Sequence, residues 1–117
     1  MNTAEQFDAV LSKCHGLFEK KGKDYGTAWR ILRLPSLTDQ IFIKAQRLRS
    51  IEQKGEQLVD DPLEGEFIGI LNYSIMALIQ LDKGIAEQPD MDWEEASAAY
   101  LVTANEAKAL TLKKNHD

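Results

Sequence analysis

The sequence is poor in the residues that crosslinks and metal sites need. It has one cysteine, Cys14, and two histidines, His15 and His116. A disulfide within the chain is therefore excluded, and neither a cysteine-based zinc site nor a metal shared by the two histidines is expected. With so few histidines, no Ser-His-Asp or Cys-His arrangement for covalent catalysis is credible. A single cysteine fits a reducing, cytoplasmic compartment.

An excess of basic residues and long apolar runs are also absent. The formal net charge is −5, so direct binding to nucleic acid is not expected. The longest apolar run, residues 67–81, is interrupted by Asn72, Ser74 and Gln80. It falls short of the ~20 residues of a membrane span, so no membrane partner is expected. The 117 residues are 44% hydrophobic and 28% charged, which is enough for one domain with one core.

Apolar residues recurring at i, i+3 and i+4 predict an all-α domain, 1–117, of about four helices in a bundle. The predicted helices are residues 4–21, 37–54, 62–83 and 93–114. The third is apolar almost all round, which predicts the central, most buried helix. A short helical turn is expected at 27–32, inside the long first connection. The candidate N-caps are Thr3 with Gln6, Ser36, Asp61, and Asp92 with Glu95, and Gly22, Gly55 and Gly84 are the candidate helix ends.

Two cations on the second helix form a candidate anion site. Lys44 lies in the apolar stripe of this helix, and Arg47 follows one turn later, so both can point at one anion. Alternatively, Lys44 extends past the edge of the bundle and Arg47 pairs with a neighbouring acid. Because cations on an inward-facing stripe need partners, the anion site is the more specific hypothesis.

The third helix carries two glycines beside a polar side chain. Gly65, Gly69, Asn72 and Met76 lie along one face, and each glycine costs about 1 kcal/mol relative to alanine, so something must approach closely. One candidate is another helix, with Asn72 bonding a buried backbone carbonyl. The other is a ligand that lies over the glycines and is bound by the Asn72 amide. The residues alone favour the first.

The first connection and several acids offer further candidates. Asp24-Tyr25-Gly26 followed by Trp29 is either an aromatic-anchored turn or a functional loop. Asp39, Glu64 and Glu66 are carboxylates of the kind that bind Mg²⁺. Alternatively, these acids are solvated or stabilise the helix N-termini through the helix dipole.

Three segments together resemble a known family: KDYGTAW (23–29), TDQIFIKAQRLRSI (38–51) and EFIGILNYSIMALI (66–79). They are similar to the nucleotide-modification-associated domain family, which in turn resembles the MazG-like all-α nucleoside triphosphate pyrophosphohydrolases. Those enzymes are Mg²⁺-dependent helical bundles, usually oligomers, that cut between the α- and β-phosphates. The resemblance implies a homo-oligomer that binds a nucleotide or nucleoside triphosphate between the second and third helices.

The resemblance also implies roles for individual residues. Lys44 and Arg47 would face the phosphates, and Tyr25 and Asn72 the base or sugar. The full set of expected substrate-binding residues is Asp24, Tyr25, Trp29, Lys44, Arg47, Asn72 and Tyr73. The expected Mg²⁺ ligands are Asp39 and Glu66, with Asp24 as a further candidate.

The sequence departs from the superfamily pattern at the metal-binding acids. That pattern places E-x-x-E on one helix and E-x-x-D on the next, and the second helix here has no E-x-x-E. Gly69 and Ile43 stand where related sequences often carry an acid. The missing acids argue against metal-assisted hydrolysis, whereas nucleotide binding does not depend on them. The alternative function is a non-catalytic structural or regulatory module that acts through oligomerisation.

A weak internal repeat predicts that the chain is the first part of a longer, duplicated protein. LFEKKGKD (17–24) and LTLKKNHD (110–117) share four of eight residues, and each segment closes a helix. Truncation where the second copy begins would leave apolar surface that a symmetric dimer could cover. A chance match between two lysine-rich helix ends is the alternative.

Overall fold

The computed structural model describes residues 2–55 and 62–115. It contains α1 (Thr3–Tyr25), a 3₁₀ helix (Ala28–Ile31), α2 (Leu34–Lys54), α3 (Pro62–Lys83) and α4 (Trp93–Asn115). The described ranges contain no strand, so the prediction of an all-α bundle of four helices is confirmed. Within these ranges, every helix is too short or too polar to span a lipid bilayer.

Helix α3 is the centre of the bundle. It packs against α1, α2 and α4, whereas α2 packs mainly on α3. The core therefore lies between α1, α3 and α4, with the 3₁₀ helix closing one end. Its buried members are Cys14, Phe18, Trp29, Ile75, Ile79, Ala96, Tyr100 and Ala104. The central position of α3 agrees with the sequence, but its burial is incomplete, because Phe67, Leu71 and Leu78 are exposed.

The first helix begins and ends at different residues from those expected. Asn2, not Thr3, is the N-cap, and its side chain accepts a 2.9 Å hydrogen bond from the backbone N–H of Glu5. The helix continues past Gly22 to Tyr25 and is capped by Gly26, whose φ of 59° favours glycine. The predicted end at Gly22 was wrong because that glycine makes room for a side chain of α4, as described below.

The other helix ends are set mostly by local sequence. Helix α2 begins a turn early, at Leu34 with Pro35 in its first turn, so Ser36 is not the N-cap; proline suits this position because it has no N–H to satisfy. The capping box of α4 is confirmed: the Glu95 N–H donates to Asp92 at 2.8 Å, and the Asp92 N–H donates to Glu95 at 3.2 Å. The proposed cap Asp61 and the end of the proposed repeat, residues 116–117, lie outside the described residues.

Candidate nucleotide-binding site

Lys44 and Arg47 converge on one carboxylate at the contact between α2 and α3. Lys44 Nζ lies 3.4 Å from Glu66 Oε2, and Arg47 Nη1 lies 3.6 Å from Glu66 Oε1. The exposed side-chain fractions are 18% for Lys44, 15% for Glu66 and 61% for Arg47. We call these three residues the cation cluster; it carries one net positive charge and opens to solvent at Arg47.

Gly69 positions Lys44 in this cluster. A Cβ added at Gly69 would lie 2.4 Å from Lys44 Cδ and Cε, so the missing side chain lets the lysine stem cross α3. No described heavy atom outside its own segment lies within 4 Å of a Cβ added at Gly65. The expected close approach of another group is therefore found at Gly69 and not at Gly65. The approaching group is the Lys44 side chain of α2.

Asn72 faces α1 and α4 rather than the cation cluster. Its Nδ2 donates to the Cys14 carbonyl at 3.0 Å, and its Oδ1 accepts from the Tyr100 hydroxyl at 2.6 Å. Burial raises the pKa of Tyr100, which keeps this hydroxyl protonated as a donor. Asn72 therefore follows the first of its two hypotheses, in which a buried amide bonds a backbone carbonyl. Its two hydrogen bonds connect α3 to α1 and to α4.

A groove separate from the cation cluster is lined by three other expected binding residues, Tyr25, Trp29 and Tyr73. With Phe18 and Trp93 they form a groove of about 510 Å³, which we call the aromatic groove. Tyr25 is 74% exposed, and Trp29 is 8% exposed. The structure thus places Tyr25 and Tyr73 in one groove, which Asn72 does not line; their role in binding stays a prediction.

The expected metal ligands do not come together. Asp24 and Asp39 are exposed, Glu64 accepts a 2.8 Å bond from Lys13, and Glu66 faces two cations. No group of three His, Cys, Asp or Glu side chains in the described ranges is placed to hold a metal ion. Because Mg²⁺ needs several oxygen ligands and is repelled by neighbouring cations, the donors within residues 2–55 and 62–115 do not by themselves fit a resident Mg²⁺ ion. Magnesium binding stays a prediction.

A buried polar network that the residue pattern does not predict holds the 3₁₀ segment in the wall of the aromatic groove. Arg30 is buried and donates to Asp90 at 3.0 Å, to the Gly84 carbonyl at 2.8 Å, and to the Gln80 side chain. Gln80 donates in turn to three carbonyls of the 3₁₀ segment, at 2.8–3.3 Å. The hydrogen bond from Arg30 holds the pKa of Asp90 below its usual range. Gln80 within an apolar run was the only sequence signal.

A second network joins α1 to α4 behind the groove. Trp93 Nε1 donates to Glu19 at 2.5 Å, and the Ser97 hydroxyl donates to the same carboxylate. These two bonds lower the pKa of Glu19. His15 Nε2 lies 3.0 Å from Ser97 Oγ and 3.1 Å from Glu19 Oε1. Because one imidazole nitrogen meets both partners, the arrangement lacks the two-sided geometry of a catalytic triad.

The family model described as nucleotide modification associated domain 1 matches residues 21–81, just over half of the chain. The chain belongs to this family. The matched segment contains the whole cation cluster and, in the aromatic groove, Tyr25, Trp29 and Tyr73. No curated protein and no solved structure is significantly similar to the chain. The match confirms the predicted resemblance to the nucleotide-modification-associated family. The further link to MazG-like enzymes stays a hypothesis.

Proposed function

We propose that the domain binds a nucleotide and that the cation cluster holds its phosphates. The observation that carries this proposal is the convergence of Lys44 and Arg47 beside Gly69, with the guanidinium open to solvent. A polyphosphate would displace part of the Glu66 contact and offer several oxygens to two cations at once. Guanidinium and ammonium groups both bind phosphate through charge-assisted hydrogen bonds. The family's association with nucleotide modification supports a nucleotide as the source of that phosphate.

The resemblance to MazG-like enzymes supports a nucleoside triphosphate as the ligand class. A triphosphate carries more negative charge than a monophosphate, so a site with net positive charge favours it. We derive no hydrolytic step, because the acids of the described segments do not by themselves fit the metal that such a step uses. Hydrolysis to the monophosphate and pyrophosphate is the enzymatic version of the proposal, and it requires Mg²⁺ ligands beyond this set.

Calorimetric titration with ATP and AMP, with and without Mg²⁺, tests the proposal. Lys44→Met keeps the stem over Gly69 and removes the charge, and Arg47→Ala removes the exposed guanidinium. Each is expected to weaken ATP binding about tenfold, since hydrogen bonds to charged groups contribute roughly 1.5–3 kcal/mol. Arg49→Ala, an exposed arginine of the same helix, is the control. Unchanged affinity in both cluster variants would contradict the phosphate role, and binding that requires Mg²⁺ would favour the enzyme.

A second candidate function is assembly, and one surface favours it. Val10, Phe67, Leu71, Leu78 and Val102 are 42–58% exposed. They line three adjoining cavities: Val10 and Leu71 are shared by two of them, and Leu78 is shared with the third. We call this surface the α3 apolar face. Large contiguous apolar patches mark interaction sites, and a face that pairs with its own copy gives a symmetric homodimer.

The two candidate functions are compatible. The α3 apolar face is built by α1, α3 and α4, whereas the cation cluster lies at the α2–α3 contact. A dimer formed through this face would therefore leave Arg47 accessible to a nucleotide. The proposed homo-oligomer would be the form in which the domain binds its ligand.

A further inference from the structure

The aromatic groove gathers an unusual share of the chain's aromatic side chains. Both tryptophans of the sequence line it, together with Phe18, Tyr25 and Tyr73. The ring centroids of Phe18 and Trp93 are 4.8 Å apart, and those of Phe18 and Trp29 are 6.2 Å apart. These contacts fix the floor of the groove, while the exposed ring of Tyr25 stands at its rim. Its volume of about 510 Å³ is within the ~300–1,000 Å³ range of small-molecule sites.

One residue that lines the groove, Trp29, carries a buried polar atom without a partner among the described residues. The indole Nε1 of Trp29 is buried and makes no hydrogen bond to any described residue. A buried N–H normally finds an acceptor, because its hydration is otherwise lost without compensation. Because this atom is inaccessible from the groove, the ligand class follows from the rings: a flat aromatic ligand fits an aromatic wall better than an aliphatic chain does.

Helical spacing places the groove about one turn along α3 from the glycine that Lys44 crosses. Tyr73 follows Gly69 by four residues, so it lies on the same side of the helix, about 6 Å further along its axis. Lys44 lies against Gly69, and Tyr73 lines the groove. One sugar unit separates the base of a nucleotide from its phosphates, which is a spacing of this order. Lys21 also lines the groove and adds a positive charge.

We infer that the aromatic groove holds the base of the nucleotide, a planar heterocycle stacked against Tyr25 and Tyr73. The ligand class rests on the proposed nucleotide-binding function, but the groove assignment rests on the aromatic rings that line the groove and on the exposed ring of Tyr25. Stacking depends on ring area, so a purine binds more tightly than a pyrimidine. Because the lining offers few hydrogen-bonding groups, adenine and guanine are discriminated only weakly.

Intrinsic fluorescence tests this inference directly, since both tryptophans line the groove. Adenosine, which carries no phosphate, is titrated against the full chain, with N-acetyltryptophanamide as the correction for absorption. Saturable quenching is expected, with a weaker response to cytidine. Tyr25→Ala, at an exposed position, is expected to weaken adenosine binding about tenfold. Phe42→Ala removes an exposed ring of α2 outside the groove and is expected to leave binding unchanged.

The outcomes separate this inference from the proposed function. Adenosine binding that survives Lys44→Met, together with weakened ATP binding in that variant, supports both. ATP binding that depends on Lys44 but neither quenches the tryptophans nor responds to Tyr25→Ala overturns the groove assignment alone. If adenosine quenches the tryptophans but ATP binds no more tightly than adenosine, the cation-cluster proposal alone is overturned. Absence of binding by either ligand overturns both.

Discussion

The indole of Trp93 lies against Gly22, so close that a Cβ added to the glycine would sit 2.2–2.4 Å from three ring carbons. The contact brings α4 onto α1 and directs the Trp93 N–H to Glu19 at 2.5 Å. Gly22, in the last turn of α1, therefore makes room for the Trp93 ring to pack against this helix. It also shapes the floor of the aromatic groove, since both residues line it.

Gly22→Ala is expected to destabilise the domain by about 1–3 kcal/mol, because a rigid ring in a packed position must move. The measurement is the free energy of unfolding from urea denaturation followed by circular dichroism. Gly16→Ala is the matched control in the same helix, since a Cβ there meets no described heavy atom within 4 Å. The free energy of unfolding of that control is expected to increase by about 0.5–1 kcal/mol, because alanine has a higher helix propensity than glycine. Equal effects of the two substitutions would contradict the packing role.

Gly69→Ala is expected to separate ligand binding from stability. The new Cβ would meet the flexible stem of Lys44, which can move at little cost, while alanine gains roughly 0.5–1 kcal/mol of helix propensity. The free energy of unfolding should therefore change little, but the displaced ammonium should weaken ATP binding about tenfold. Calorimetry and urea denaturation of the same samples provide the check. An unchanged ATP affinity would show that the position of Lys44 is not important.

Residue patterns within a few positions of each other predict the fold. The arrangement of the candidate site depends on contacts between residues that are far apart in the sequence. Helix number and the Asp92–Glu95 capping box follow from residues a few positions apart, so the sequence alone predicts them. The role of Gly22 depends on Trp93, which is distant in sequence, and a glycine near a helix end is most simply interpreted as a cap. Asn72 illustrates the same limit, because its choice between a ligand and a carbonyl depends on how α1 packs against α3.

Gln80→Leu is expected to destabilise the domain by about 1–3 kcal/mol. The substitution removes one acceptor of the buried Arg30 guanidinium, which keeps Asp90 and the Gly84 carbonyl. It also removes the Gln80 donor of the Leu32 carbonyl, whereas the Trp29 and Arg30 carbonyls keep backbone N–H donors. Hydrogen exchange of residues 28–32 should accelerate, because their link to α3 is lost. Gln46→Leu, at an exposed position of α2, should stay within about 0.5 kcal/mol. Similar unfolding free energies for the two variants would show that the network contributes little.

Glu19 is expected to make the α1–α4 contact sensitive to acid. Hydrogen bonds from Ser97 and Trp93 lower its pKa in the folded state below the ordinary value of 4.5. The stabilisation from Glu19 is therefore fully present above pH 4.5 and is lost as the pH falls through the lowered folded-state pKa. Urea midpoints measured across this range should fall less steeply in Glu19→Gln than in the wild-type chain. Glu52→Gln, an exposed acid of α2, should keep the wild-type slope.

Leu71→Glu is expected to convert a dimer into a monomer. Leu71 lies in the α3 apolar face and lines two of its adjoining cavities, so a carboxylate there would have to lose its hydration in the contact. Because the side chain is already 42% exposed, the monomer should remain folded, which circular dichroism would show. Sedimentation equilibrium over a wide concentration range gives the mass of each form. Phe42→Glu, an exposed apolar residue of α2 outside this face, should remain dimeric. A wild-type chain that stays monomeric at the highest concentration would remove the assembly proposal and leave the cation cluster and the aromatic groove as the candidate sites.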